Sequence, residues 1–320
     1  MTQGRLASVS LDLDNLWTYK KVHGDEWQTR PSYLDTFVPY ILEILDDLNM
    51  QITFFVVGAD ADQPKNRGVL RSIADAGHEI ANHSYEHEPW LRLYSEAELK
   101  EEIDRAHEAI TVATGVEPVG FRGPGFSWSS NLLSILADRQ YHYDASTLPT
   151  FLGPLARLYY FWSSDLSKEE KKKRKELFGN FKDGFRPVKP YQWILADSKT
   201  LLEIPVTTMP WFKLPFHLSY LAYLARYSET IMKLYLKSAL LACRVSNTDP
   251  SFLLHPLDVI GGDEIPDLKF FPGMDISSER KKKLLVYVLE SIRESYNVIP
   301  MGVHACRIID RGGLVERAAA

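Results

Sequence analysis

Residues 8–17 read SVSLDLDNLW, and this stretch decides the fold. From Arg5 to Leu11 the pattern is that of a buried strand, and it runs out on Asp12 and Asp14, one leucine apart. Two acids at the end of a buried strand carry a desolvation penalty unless they pair, bind a cation or do chemistry. Residues two apart in an extended chain share a face, so both can reach one site. They suit a phosphotransferase nucleophile with its acid, or a base beside a metal ligand.

Outward from this strand, short β-branched or apolar runs recur at 51–57, 79–82, 118–121, 141–144, 201–206, 251–254 and 297–301. They alternate with helical patterns near 33–48, 66–76, 95–113, 129–139, 219–243 and 278–294. Ser95 with Glu98 forms a capping-box pattern, and Gly77 follows the second helix. The alternation predicts an α/β protein, a distorted (β/α) barrel of about seven parallel strands. In such a fold functional residues gather where strands end. Asp12, Asp14, His83, His87, Arg122, Asp144 and His255 all fall at that end of the pattern.

One barrel domain is expected over 1–310, with 311–320 as a loose tail. The rhythm breaks at about 151–200, an inserted segment expected to shape the substrate cleft, with Arg186 as a contributor. The run Lys171 to Lys175 reads as a solvated helix face. Trp211 to Arg244 shows apolar residues at helical spacing with Lys233, Lys237 and Arg244 among them. That suits a core helix, and also one lying on a membrane surface or gripping a lipid chain. An apolar groove lined by this segment would favour a lipid-linked substrate.

Composition narrows the partners. The chain has 320 residues, 45% of them hydrophobic, with 37 basic against 42 acidic side chains and a net charge of -5. No broad cationic footprint exists, so nucleic acid is excluded as an expected partner. Cys243 and Cys306 are far apart and in no metal-type spacing, which suits a reducing compartment. No run of about 18 apolar residues occurs, so no spanning helix is expected. The opening MTQGRLASVSLDL lacks a charged segment before a long apolar one. The expected location is cytoplasmic, with peripheral contact at the inner membrane surface and homo-oligomerisation as open variants.

Three further stretches carry chemistry. NHSYEH places His83 and His87 four residues apart after a strand, able to bind one metal from one side, though such spacing is common on surfaces. FRGPGF takes Arg122 off a strand into a Gly-Pro-Gly turn, where it can orient a carboxylate through charge-assisted hydrogen bonds or pair structurally with any acid. FLLHP sets His255 at the mouth of an apolar strand, as a general acid or as a packed loop residue. A competing magnesium phosphatase reading takes Asp12 as nucleophile and GGDEIPD, 261–267, as its acidic motif. It leaves the three histidines unexplained.

In order along the chain, SLDLDN, TFFVVG, NHSYEH, FRGP, YDAS, LEIPV and LLHP resemble the NodB-like polysaccharide deacetylases, carbohydrate esterase family 4. The resemblance implies one divalent metal on Asp14, His83 and His87, with zinc expected and cobalt, nickel or manganese as alternatives. It implies Asp12 as catalytic base held by Arg122, His255 as general acid, and the Gly125 amide as oxyanion donor. Many family members have adjacent aspartates followed by glycine where this chain has Asp12-Leu13-Asp14-Asn15, and Gly125 and Phe126 replace the usual aromatic after the proline. Asp144 and Asp258 are both candidates for the acid beside His255, and Asp144 also for substrate contact. The expected function is removal of an N-acetyl or other N-acyl group from an amino sugar of a polysaccharide or lipid-linked glycan precursor. Open alternatives are allantoinase-like cleavage of a non-sugar amide, the phosphatase, and a non-hydrolytic glycan-binding protein.

Overall fold

The computed structural model describes residues 4–152, 181–196 and 198–319. Its strands are β1 (Leu6–Asp12), β2 (Thr53–Val56), β3 (Glu79–Asn82), β4 (Gly120–Phe121), β5 (Tyr143–Asp144) and β6 (Tyr191–Ile194). They continue with β7 (Thr200–Glu203), β8 (Thr208–Met209), β9 (Leu214–Pro215), β10 (Ser251–Leu254), β11 (Asn297–Val298) and β12 (Val315–Ala318). The helices are α1 (Leu16–His23), α2 (Leu34–Asp47), α3 (Gly58–Ala61), α4 (Arg67–Asp75) and α5 (Glu96–Thr114). After them come α6 (Ser130–Asp138), α7 (Leu218–Tyr227), α8 (Glu229–Val245), α9 (Ser278–Ser295) and α10 (Met301–Arg311).

The sheet runs β10-β1-β2-β3-β4-β5-β7-β6-β12, and its strands from β10 to β7 pair in parallel. The chain leaving β7 then reaches back to β10: the Thr207 N–H donates to the Ser251 carbonyl at 2.9 Å, and the Ser251 N–H to Thr207 Oγ1 at 2.8 Å. This contact draws the two ends of the parallel run together, the distortion expected of this barrel.

Side-chain alternation sorts the sheet into two faces. Val9, Leu11, Phe54, Val56, Ile80, Phe252 and Leu254 pack outward under the helices. Phe55, Ala81, Tyr143 and Leu202 pack with Met301, Ala305 and Ile308 of α10, which plugs the barrel. Because β1 is buried on both sides, its inward positions Ser8, Ser10 and Asp12 need polar partners. Ser8 Oγ meets His304 Nδ1 at 3.0 Å, and Arg122 serves the other two.

Three features differ from the sequence reading. The pattern over 219–243 is two helices: the chain is extended at Ser228 (φ -160°), whose hydroxyl caps α8 by accepting from the Ile231 N–H. Residues 311–320 include β12, which pairs in parallel with β6, itself antiparallel to β7, so this stretch extends the sheet. The last strand pattern holds only Asn297–Val298, because Pro300 starts α10. Of the inserted segment, residues 151–152, 181–196 and 198–200 are described, and Lys171 to Lys175 lie outside the described residues.

Candidate active site

Asp12 closes β1 on its inward face, almost fully buried. Arg122, one residue past β4, has no exposed surface. Its Nη1 donates to Asp12 Oδ1 at 2.5 Å and to Ser10 Oγ at 2.9 Å, while Nε donates to the Ala145 carbonyl at 3.0 Å. The guanidinium also lies 4.2 Å over the Phe55 ring. Held on several sides, Arg122 fixes Asp12 in place rather than merely neutralising it.

Asp14 sits on the turn that enters α1. Asn15 fixes this turn: its Oδ1 accepts from the Leu16 and Tyr33 amides, and its Nδ2 donates to buried Asp60 at 2.7 Å. The Tyr33 hydroxyl donates to the Asp14 carbonyl, and the Tyr19 hydroxyl to Asp14 Oδ2 at 3.2 Å.

His83 and His87 leave the end of β3 in a turn where Ser84 and His87 have φ of 63° and 54°. Such left-handed backbone at non-glycine residues costs about 1–3 kcal/mol and persists only when surroundings enforce it. Here Asn82 Oδ1 accepts from the Ser84 N–H at 2.8 Å, and Glu102 of α5 accepts from the amides of Tyr85 and Glu86. Burial first, then the nearby Glu86 carboxylate, pushes Glu102 up to about 7 against the pull of its donors. Sequence reading missed Glu102. The available signal was an acid on the buried face of a helix, beside Leu99 and Ile103.

The donors of Asp14, His83 and His87 converge, one atom from each lying within 4.8 Å of the others. Asp14 Oδ1 is 3.5 Å from His83 Nε2 and 2.9 Å from His87 Nε2, yet it is buried and has no hydrogen bond. His83 Nδ1 donates to the Arg122 carbonyl at 2.7 Å, which leaves its Nε2 lone pair free. Burial would raise the Asp14 pKa, but His87 and then His83 hold it well below the ordinary value, so the carboxylate is ionised. An orphaned buried oxygen facing two imidazole nitrogens fits a divalent cation, and the donor set suits zinc and neighbouring first-row ions.

Across from Asp14, His255 follows β10 with its Nε2 3.9 Å from Asp12 Oδ2 and its Nδ1 3.5 Å from Asp258 Oδ2. Asp258 Oδ2 also accepts the His255 amide at 2.9 Å. Burial would lower the His255 pKa, but Asp258 and then Asp12 outweigh it and raise the value to about 9. Asp258 is therefore the acid beside His255. Asp144 is corrected on both counts: it stands in register with Phe121 and Glu203, on the sheet face that turns away from Asp12. There it is fully buried and accepts from Ser146 Oγ at 2.5 Å.

A cavity of about 680 Å³ opens over these groups. Asp12, Asp14, His83, His87, His255 and Asp258 reach it, as do Gly125, Phe126 and Arg186. Gly125 has φ 59°, and a Cβ there would stand 3.0 Å from Pro89, so glycine suits this wall. Arg186 stacks 4.2 Å over Trp128 while its Nε donates to Asp183 at 3.2 Å. Most of the remaining lining is aromatic or apolar, Tyr220 and Tyr223 of α7 and Phe270 and Phe271 among it, and Arg226 and Lys281 also reach the cavity. The acidic 261–267 stretch stays apart: Asp263 accepts from the Ser278 amide and hydroxyl at the start of α9, and Asp267 pairs with Lys20. It offers nothing to a phosphatase centre at Asp12.

Fold and site together define a class: (β/α) proteins whose strand ends join an Asp-His-His cluster that could hold a cation to an arginine-clamped carboxylate and an acid-backed imidazole. Residues 24–143 match the family described as polysaccharide deacetylase, which bears out over that segment the resemblance seen in the sequence. The chain is 35% identical over 88 residues to the peptidoglycan-N-acetylglucosamine deacetylase of Bacillus cereus, covering 28% of this chain and 31% of that one. It is 33% identical over 104 residues to the chitooligosaccharide deacetylase of Sinorhizobium fredii, covering 32% and 46% respectively. The chain thus spans less than half the length of either relative. A crystal structure from Mycobacterium smegmatis, described as a candidate polysaccharide deacetylase, superposes with a TM-score of 0.62 at 21% identity, covering 99% of this chain and 94% of that one, and shows the same fold. The family match covers His83, His87 and Arg122; the fold brings Asp12, Asp14 and His255 to them.

Proposed function

We propose that this protein is a metal-dependent hydrolase that removes an N-acyl group, N-acetyl foremost, from an amino sugar of a glycan or a lipid-linked glycan precursor. The observation that carries the proposal is the meeting of Asp14, His83 and His87 beside Asp12, which Arg122 clamps, and His255, which Asp258 backs. Asp14, His83 and His87 would hold a divalent ion, zinc by expectation, which would supply Lewis acidity toward the amide carbonyl and the attacking water.

The chain's own groups do the rest. Asp12 takes the proton of the water that attacks the carbonyl carbon, and Arg122 keeps its carboxylate aimed at that point. The Gly125 amide, in the cavity wall, offers a donor to the developing oxyanion. His255, charged at neutral pH, gives its proton to the departing amine as the C–N bond breaks, and carboxylate and free amine leave. The walls that Tyr220 and Tyr223 contribute from within the 211–244 segment favour a substrate with an apolar portion, which supports the lipid-linked variant.

The test is elemental analysis together with acetate release from free, polymeric and lipid-linked N-acetyl amino sugars. Asp12→Asn is expected to retain the metal and lose turnover by about 100-fold or more. Retained turnover removes Asp12 as base. His83→Ala is expected to lose metal content, and full occupancy in that variant removes the ligand assignment.

A further inference from the structure

Beside His255, on the same cavity, stands an imidazole with no assigned task. His217 immediately precedes α7, yet its side chain makes no capping hydrogen bond, so it is not there to start the helix. It is only 6% exposed and its Nδ1 is buried without any hydrogen-bond partner. An unpartnered buried polar atom is rare in a folded protein and calls for a ligand or water to satisfy it. Its ring meets Tyr220 edge-on at 4.7 Å and stands 6.4 Å from the His255 ring.

The two histidines differ in kind. His255 has Asp258 against its ring, whereas among the described residues no carboxylate bonds His217. Burial, reinforced by the neighbouring His255 charge, lowers the His217 pKa to about 4, so at neutral pH it is an uncharged ring with one donor and one acceptor nitrogen. Such a ring matches a hydroxyl, which can accept or donate as the tautomer requires.

We propose that His217 is a substrate-binding residue whose Nδ1 hydrogen-bonds a hydroxyl of the sugar while the N-acyl group lies against Asp12 and His255. This rests on the deacylase reading and adds to it a group that recognises the sugar rather than the amide. A substrate lacking that hydroxyl leaves a buried nitrogen unpaired, which makes the contact selective.

The experiment compares His217→Phe and His217→Asn with the unaltered chain on an N-acetylated amino sugar. Phenylalanine keeps the contact on Tyr220 and deletes both nitrogens; asparagine places an amide near the Nδ1 position. The phenylalanine variant is expected to lose about 10-fold in kcat/KM, mostly through KM, and the asparagine variant to recover part of it. Metal content, melting temperature and the alkaline limb of the pH profile should stay in place. A phenylalanine variant with unchanged KM overturns the proposal, and so does a loss confined to kcat with a displaced alkaline limb. Either result leaves the deacylase reading standing. An unaltered chain that releases no acetate from any N-acetylated sugar counts against both.

Discussion

At the scale of single residues, the site depends on pairs that hold charges apart from water. Removing one member leaves the other stranded, and such losses cost about 3–5 kcal/mol. Arg122→Met should lower stability in urea by that order, because Asp12 stays buried beneath it. A midpoint close to that of the unaltered chain would show that the clamp on Asp12 contributes little to folding. His255 with its pKa of about 9 is protonated below that value, so activity that needs its proton is retained at neutral pH and lost as pH rises through about 9. Asp258→Asn removes the main group holding the proton, and the alkaline limb should move toward neutrality. A limb that stays in place would take the proton donor elsewhere. The sequence showed the reactive types and their order, since acids, histidines and an arginine at strand ends are visible as such. It could not show which acid faces His255. That choice turns on alternation within β5, a two-residue strand whose register, rather than its composition, sends Asp144 outward.

At the scale of elements, the histidine turn is held from α5 by one carboxyl. Glu102 has a folded pKa of about 7 against an ordinary 4.5. A raised pKa means that its contribution to stability is fully present below the unfolded value and lost as pH rises through about 7. Glu102→Gln should flatten the fall in melting temperature over that interval, and a slope equal to that of the unaltered chain would place the titration in another group. The break between α7 and α8 gives a second test. Ser228→Ala removes the cap and should cost about 1 kcal/mol by urea unfolding, whereas a continuous helix would gain from alanine. The long strands and helices were legible from their periods. The break at Ser228 was not, because apolar spacing continues across it and only the hydroxyl marks the new start.

At the scale of the whole molecule, the parallel run from β10 to β7 is brought around by the Thr207–Ser251 contact, while β6 and β12 extend the sheet beyond it. All four residues of β12 are exposed, so its role is to cover the edge of β6 rather than to fill the core. Removing residues 315–320 should leave the site's metal content unchanged while promoting concentration-dependent self-association by light scattering; a dispersed truncated chain would show that β6 needs no cover. The charges gathered at the barrel mouth have one more consequence. Within the cluster paired around the two imidazoles, the carboxylates of Asp12, Asp14 and Asp258 are answered by Arg122 and protonated His255, an excess of one negative charge, while buried Lys281 also reaches the cavity. A dication reverses this to a single positive charge, equal and opposite to that of one oxyanion. A monovalent ion would leave the cluster neutral. Once the oxyanion has formed, a divalent occupant would leave this cluster neutral and a monovalent one would leave it negative, so the balance of charge favours a dication in the transition state and not in the resting site.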